Sequence, residues 1–272
     1  MNIPYISARI IRRSMPKRLV DFLRNRSIIF KPGIETANPA EAAEIQSSLL
    51  QSFGRSIEKS SIAVFGYGGS FGLAAQLLSK GASRVSLIDL HENLNDIANR
   101  SAYSKHPEYF NKQNGRVIPN PNFISVHHGD ILDDPPEIEP VDLLLSSSVL
   151  EHIPDLAAII KTLNTLIKPD GAQLHRVDLG DHVKNYPFEM LTYSETMWKK
   201  FLNPPSNLNR LRLWDYENVF NTLFSKVELN IEGRNLEAFR NCKSDILPEF
   251  LSGSDENDSV IGISIYAAEK NI

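Results

Sequence analysis

The stretch VFGYGGSFG, residues 64–72, is where one kind of local order ends and another begins. The run leading into it, SIAVFG (61–66), is short, apolar and closed by glycine, which reads as a strand. The run leaving it, FGLAAQLLSKG (71–81), reads as a helix closed by Gly81. Glycines at 66, 68 and 72 allow a tight strand–helix turn and the close approach of backbone to a ligand. Downstream, RVSLIDL (84–90) reads as a strand and NLNDIANRSAYS (93–104) as a helix. FISVHHGD (123–130) and VDLLLSSSV (141–149) read as strands. DLAAIIKTLNTLIKPDG (155–171) reads as a helix closed by Pro169 and Gly171, and AQLHRVDLG (172–180) as a fifth strand. Strands alternating with helices at this spacing imply a parallel sheet with right-handed crossovers. These strands are apolar nearly throughout, as they are when helices cover both faces. Between them, residues 105–121 read as a polar, Pro/Asn-rich connection.

Upstream, residues 1–31 read as one or two short helices interrupted at Pro16. A marked helix follows, with Asn38 as N-cap, Pro39 at its first position, and Glu41 and Glu44 near its N-terminus. Past Gly180 the alternation breaks, and residues 181–214 are rich in aromatics, Asn and Pro. YENVFNTLF (216–224) then reads as a helix, and VELNIEG (227–233) and VIGISIYAAEK (260–270) as strands six and seven. The expected organisation is an N-terminal helical extension over 1–57 and an α/β domain over 58–272, with an insertion at about 181–214.

Of 272 residues, 42% are hydrophobic and 23% charged, an ordinary globular balance. No apolar run nears the roughly 18 residues that a membrane span needs, and no signal-peptide pattern opens the chain. The single cysteine, Cys242, excludes an internal disulfide and a cysteine zinc cluster and fits a reducing compartment, so a cytoplasmic location is expected. The net charge of −4 is uneven: residues 1–31 carry eight basic side chains against Asp21 alone, and the remainder sums to −11. An acidic body offers no phosphate track, and no nucleic-acid partner is expected. The basic N-terminus reads either as a solvated helical face or as a contact with an anionic surface; Ile10, Ile11, Leu19, Val20, Phe22 and Leu23 give it amphipathic character.

The glycine turn must be assigned a ligand. A dinucleotide fingerprint needs a third glycine where this chain has Phe71, with Gly72 one residue late. Asp89, at the end of the second strand, suits a ribose diol in any case. The third strand ends in Gly129-Asp130, a carboxylate suited to an adenine amino group. With these pieces in order (VFGYGGSFG, LIDL, HHGD, VDLLLSSSVLEHIPD, LIKPDG), residues 61–180 resemble the class I S-adenosylmethionine-dependent methyltransferases. The resemblance implies a Rossmann-like seven-stranded, mostly parallel sheet with its last strand antiparallel and helices on both faces. It implies S-adenosyl-L-methionine as cofactor. The methionine part would lie on the turn (Gly66, Tyr67, Gly68, Gly72), the ribose on Asp89 beside Leu90, and the adenine by Asp130 and Ile131. One departure stands out: Val64 occupies the place where the family usually has an acidic residue toward the cofactor's ammonium, and backbone near Ser146 and Ser147 is the expected substitute.

Methyl transfer from a sulfonium asks the protein mainly to orient the acceptor, and a hydroxyl acceptor also needs a base. His152 follows the fourth strand, and Asp178, Asp181 and His182 lie at or beyond the end of the fifth; an Asp–His pair there could serve as base. His152 also fits a purely structural role in its turn. His175, Asp178 and His182 do not follow a known zinc spacing, so no metal is expected. Tyr186, Phe188, Tyr193, Trp198, Phe201 and Trp214 are candidates for an apolar acceptor wall or for packing of the insertion, and NRLR (209–212) offers two guanidinium groups to an anion. The expected acceptor is a small molecule or glycan-like compound, with O-methylation favoured. An NAD-dependent oxidoreductase and a non-catalytic binding protein on the same scaffold are the alternatives.

Overall fold

A computed structural model describes residues 2–15, 33–91, 93–183 and 185–271. Seven strands form one sheet, β1 (Ser61–Phe65), β2 (Arg84–Asp89), β5 (Ile124–His128), β6 (Val141–Ser147), β7 (Ile167–Asp178), β8 (Phe224–Arg234) and β9 (Val260–Lys270), in the spatial order β5-β2-β1-β6-β7-β9-β8. β9 alone runs antiparallel to its neighbours, pairing Ala172 with Ala268 on one side and Lys226 with Ala268 on the other. Chain order runs outward from β1 in one direction through β2 and β5, then returns to its other side with β6 and β7. The loops leaving β1 and β6 therefore part in opposite directions, and a crevice opens at the carboxyl ends of those strands.

Alternation along β1 divides the core. Ile62 and Val64 join the helices Pro39–Ser52 and Gly72–Ser79 on one face. Ala63 and Phe65 join Leu156–Thr165 and Leu213–Leu223 on the other. The Asn38 side chain accepts from Glu41 N at 3.4 Å and caps its helix as the sequence predicts.

Two local expectations fail. Residues 105–121 are not a bare connection. A hairpin, β3 (Phe110–Gln113) with β4 (Arg116–Pro119), forms around Asn114-Gly115, a pair suited to a two-residue hairpin turn. The helix after β6 ends at Thr165, and the KPDG residues lie inside β7. They bulge out where the register jumps from Val141↔Ile167 to Leu143↔Ala172, and Lys168 Nζ reaches Asp142 Oδ1 at 2.7 Å.

The N-terminal helix α1 (Ile3–Ser14) docks on the insertion. Tyr5, Phe188, Tyr193, Trp198 and Leu202 form a third apolar cluster with Phe239. Most of the insertion's aromatics are thus packing, while Phe201 stays exposed. The break at Pro16, and Lys17, Arg18, Arg24, Arg26 and Lys31, lie outside the described residues. Arg13 donates to the Asn203 carbonyl at 2.9 Å, and Arg9 is buried in the body. Among the described residues, no helix is long and apolar enough to cross a membrane.

Candidate functional site

The crevice is built first from the glycine turn. Gly66, at φ +80°, sits so close to the loop after β6 that an added Cβ would lie 2.2 Å from Val149. Gly69, which the motif reading passed over, is tighter still: at φ +76° its Cβ would lie 1.8 Å from the Asn93 carbonyl. Asn99, buried beneath, clamps the turn by donating to Gly69 O (3.1 Å) and accepting from Phe71 N (2.8 Å). Phe71 stacks between Tyr67 and Phe110, and its volume goes into the core. Above the turn lies α2 (Ile34–Ala37), whose Thr36 Oγ1 is 3.9 Å from the position of a Cβ on Gly68.

Asp89 closes β2. Its Oδ2 accepts from Gly68 N at 2.9 Å and its Oδ1 from His91 N at 3.0 Å. Each carboxylate oxygen keeps acceptor capacity for a further donor. Leu90, next to it, is exposed. Gly129 N donates to the Asp89 carbonyl at 3.1 Å, so the loops carrying Asp89 and Asp130 adjoin. Asp130 is exposed, with Oδ1 accepting from Leu132 N at 3.0 Å, and Ile131 is buried beside it. The Tyr67 hydroxyl meets His128 Nε2 at 2.7 Å.

Val64 is buried between Leu87 and Leu145 at the base of the turn. The Ser146 hydroxyl is turned into the sheet, 2.7 Å from His175 Nδ1, and Ser147 is half-buried at the strand end. Glu35 on α2 has Oε1 buried without a hydrogen-bond partner. Its charge reaches both Glu151 and Arg176 at the ends of β6 and β7.

The acceptor side is held by the insertion. Asn209 Nδ2 donates to the carbonyls of Leu150 (2.8 Å) and Ile153 (3.1 Å), and Asn209 N donates to Glu151 O (2.9 Å). The Asn207 carbonyl lies 2.7 Å from His152 Nδ1, and Asn207 Nδ2 donates to His152 O at 3.0 Å. The His152 ring is thereby fixed with a proton on Nδ1 and its lone pair on Nε2. Burial holds His152 below its ordinary value. His182 meets it edge to face, with ring centroids 5.2 Å apart. Burial, aided by His152, Arg12 and Arg9, pushes His182 down to about 3. Both imidazoles are neutral at pH 7.

The other predicted groups divide. Asp178 stays at the site, its Oδ2 3.7 Å from His182 Nε2, a separation too long for a hydrogen bond. Its Oδ1 accepts from Gly180 N at 2.8 Å. Asp181 is committed elsewhere. Its buried carboxylate takes the Arg9 guanidinium, the Tyr5 hydroxyl and Val183 N, and that pairing removes it as a free base. His175 is fully buried between Ser146 and Gln173 and cannot join a metal set with Asp178 and His182. The arginines of NRLR also serve the fold. Arg210 donates to the Met190 and Tyr193 carbonyls and pairs with Glu195, and Arg212 donates to the carbonyls of Leu179, Asp258 and Val260. Neither is available to an anionic ligand.

Sequence reasoning did not single out Glu151. It is 2% exposed, and its carboxyl meets the backbone N–H groups of Glu151 and Asp178 without full hydrogen-bond geometry. Burial, with Asp178 and Glu35 adding to it, pushes its carboxyl up to about 8. A cavity of about 710 Å³, lined by Ser61, Arg84, Glu137 and Lys168, opens at the amino ends of the strands. It lies at the opposite edge of the sheet from the glycine turn and from these groups, whereas ligands of open α/β sheets bind at the carboxyl ends of the strands.

Residues 41–230 match the family model described as "Methyltransferase domain". A search of curated protein sequences finds no match. Among solved structures, a candidate sarcosine dimethylglycine methyltransferase from Galdieria sulphuraria has a TM-score of 0.51 at 13% identity, over 84% of this chain and 85% of that one. Phosphoethanolamine N-methyltransferase 2 of Haemonchus contortus, solved with S-adenosyl-L-methionine, has a TM-score of 0.51 at 17% identity, over 84% of this chain and 53% of that one. A candidate S-adenosylmethionine-dependent methyltransferase from Listeria monocytogenes has a TM-score of 0.50 at 17% identity, over 85% of this chain and 100% of that one. At these identities the likeness is one of fold.

Proposed function

The chain belongs to the methyltransferase-domain family and is an S-adenosylmethionine-dependent enzyme, and from that premise we propose that it methylates an oxygen of a small-molecule or glycan-like acceptor. The cofactor fits the crevice on several grounds. In the turn, Gly66 and Gly69 leave no room for a side chain against Val149 and Asn93, and Gly68 offers its N–H to Asp89. Asp89 is already oriented by Gly68 N. A Cβ at Gly129, just before Asp130, would meet nothing within 4 Å. Glu35 on α2 carries a buried, unpartnered carboxylate oxygen. In this reading Asp89 holds the ribose hydroxyls, Asp130 the adenine amino group, and Glu35 the ammonium. When bound, S-adenosylmethionine supplies a methyl group activated on sulfur.

The observation that carries the oxygen assignment is the set Glu151, His152 and His182 at the mouth of β6 and β7, whose ligand atoms lie within 4.8 Å of one another. These groups receive a hydroxyl acceptor and favour loss of its proton. Asp178, more exposed, lies next to His182 as the outlet of that proton. The test is transfer of a labelled methyl group to a panel of hydroxylated and amino small molecules. A hydroxyl compound is expected to be labelled. His152→Asn is expected to lower kcat about 10²-fold while leaving S-adenosylhomocysteine affinity unchanged. Labelling confined to amines would overturn the proposal.

A further inference from the structure

We propose that Glu151, His152 and His182 hold a divalent transition-metal ion at the acceptor edge of the crevice. Each residue offers one ligand atom, and the three lie within 4.8 Å of one another. Bonds of about 2.1 Å set neighbouring ligand atoms about 3 to 4 Å apart around one ion, so a closure of about an ångström completes the set.

The site is built, not incidental. Glu151 is 2% exposed, and its oxygens meet only the backbone N–H groups of Glu151 and Asp178, without full hydrogen-bond geometry. A buried carboxyl left that way is costly unless something occupies it. The His152 ring is held through Nδ1 by the Asn207 carbonyl, which leaves Nε2 as the open lone pair. A carbonyl behind the ring is the support that metal-ligating imidazoles commonly have. The insertion fixes the Leu150–His152 turn itself through Asn209 and Asn207, so two of the three ligands are set in place by one loop.

The donor set selects the ion. Two imidazole nitrogens and one carboxylate oxygen suit Zn²⁺, Mn²⁺, Fe²⁺ or Co²⁺, whereas Mg²⁺ and Ca²⁺ prefer oxygen throughout. Three protein ligands leave positions open for a substrate oxygen. The charges facing the site come from three elements. Arg12 on α1 opposes a cation, whereas Asp178 at the end of β7 and Glu35 on α2 favour one. Arg9 is offset by Asp181. Binding of the ion stands apart from the methylation reading, but its use rests on that reading: an ion there would grip the acceptor hydroxyl and ease loss of its proton to Asp178.

The experiment strips the full-length protein with a chelator and titrates it with CoCl₂, following the visible ligand-field absorption. S-adenosylhomocysteine binding is measured calorimetrically on the same samples. About one equivalent of cobalt should bind and be displaced by Zn²⁺. Glu151→Gln and His182→Gln should each weaken cobalt binding at least tenfold while circular dichroism and S-adenosylhomocysteine affinity are retained. His182 is half-buried, so its variant tests the site even where the buried Glu151 change disturbs folding. Wild-type protein that binds S-adenosylhomocysteine but no cobalt overturns the site, as does cobalt binding that both variants leave unaltered. Cobalt binding without S-adenosylhomocysteine binding supports the site and removes the stated use of the ion.

Discussion

Asp89 does two things with one carboxylate. It fixes the glycine turn through Gly68 N and His91 N, and it keeps acceptor capacity facing the crevice. Asp130 does less, since it is exposed and restrains only Leu132 N. Hydrogen bonds to charged groups are worth about 1.5–3 kcal/mol. Asp89→Ala is therefore expected to weaken S-adenosylhomocysteine binding about 10- to 100-fold, and Asp130→Ala by less than Asp89→Ala does. Calorimetric titration ranks the two, and equal affinities in wild type and Asp89→Ala would refute the ribose assignment. Glu35 is the sharper case because sequence reasoning looked for its charge at Val64 on β1. The proposed function gives that role to Glu35 on α2, and a change there separates charge from shape. Glu35→Gln should cost S-adenosylhomocysteine about tenfold in affinity. The loss should nearly vanish for a ligand lacking the α-amino group, and an equal loss for both ligands would mean that Glu35 shapes the crevice without binding the ammonium.

At the scale of elements, the question is how α1 stays on the body. Its exposed face carries Ile3, Ile10 and Ile11, and its buried face carries Tyr5 and Arg9. Arg9 pairs with Asp181 and lies over the Trp198 ring at 5.1 Å, while Arg210 lies over the same ring at 5.3 Å. Removing one partner of a buried ion pair costs about 3–5 kcal/mol, because the other charge stays buried; replacing both with apolar groups is often neutral. Arg9→Met should therefore release α1 and raise amide hydrogen exchange across residues 3–14 at least 100-fold. Adding Asp181→Leu should recover much of the protection. Exchange that does not change in Arg9→Met would show that the apolar contacts of Tyr5 alone hold the helix. The result bears on function, because Asp181 leads directly into His182, and a loose α1 loosens that ligand.

For the whole molecule, the sheet was legible and the site only partly so, for physical reasons. Parallel strands buried on both faces leave continuous apolar runs, and helices between them leave their caps, so β1, β2, β5, β6 and β7 can be read off in order. The β3–β4 hairpin carries little apolar signal because Asn111, Lys112, Gln113 and Arg116 are exposed; only Asn114-Gly115 announced it. Arg210 and Arg212 looked like anion binders because their partners are backbone carbonyls, which a sequence does not display. Glu151 was hidden for the opposite reason: what distinguishes it is the lack of full hydrogen bonds in a buried place, which only packing creates. The order β5-β2-β1-β6-β7-β9-β8 sets the crevice between the β1 and β6 loops, and those loops touch at Gly66 and Val149. A ligand seated there bridges both halves of the sheet and binds only the folded chain. At a concentration 100 times its Kd such a ligand adds about 2.7 kcal/mol, and at about 2–4 °C per kcal/mol the midpoint should rise roughly 5–10 °C. S-adenosylhomocysteine is expected to produce that shift in thermal unfolding of the full chain, and NAD none. Stabilisation by NAD alone would assign the glycine turn to a dinucleotide despite Phe71, because only a ligand that prefers the folded state can raise its midpoint.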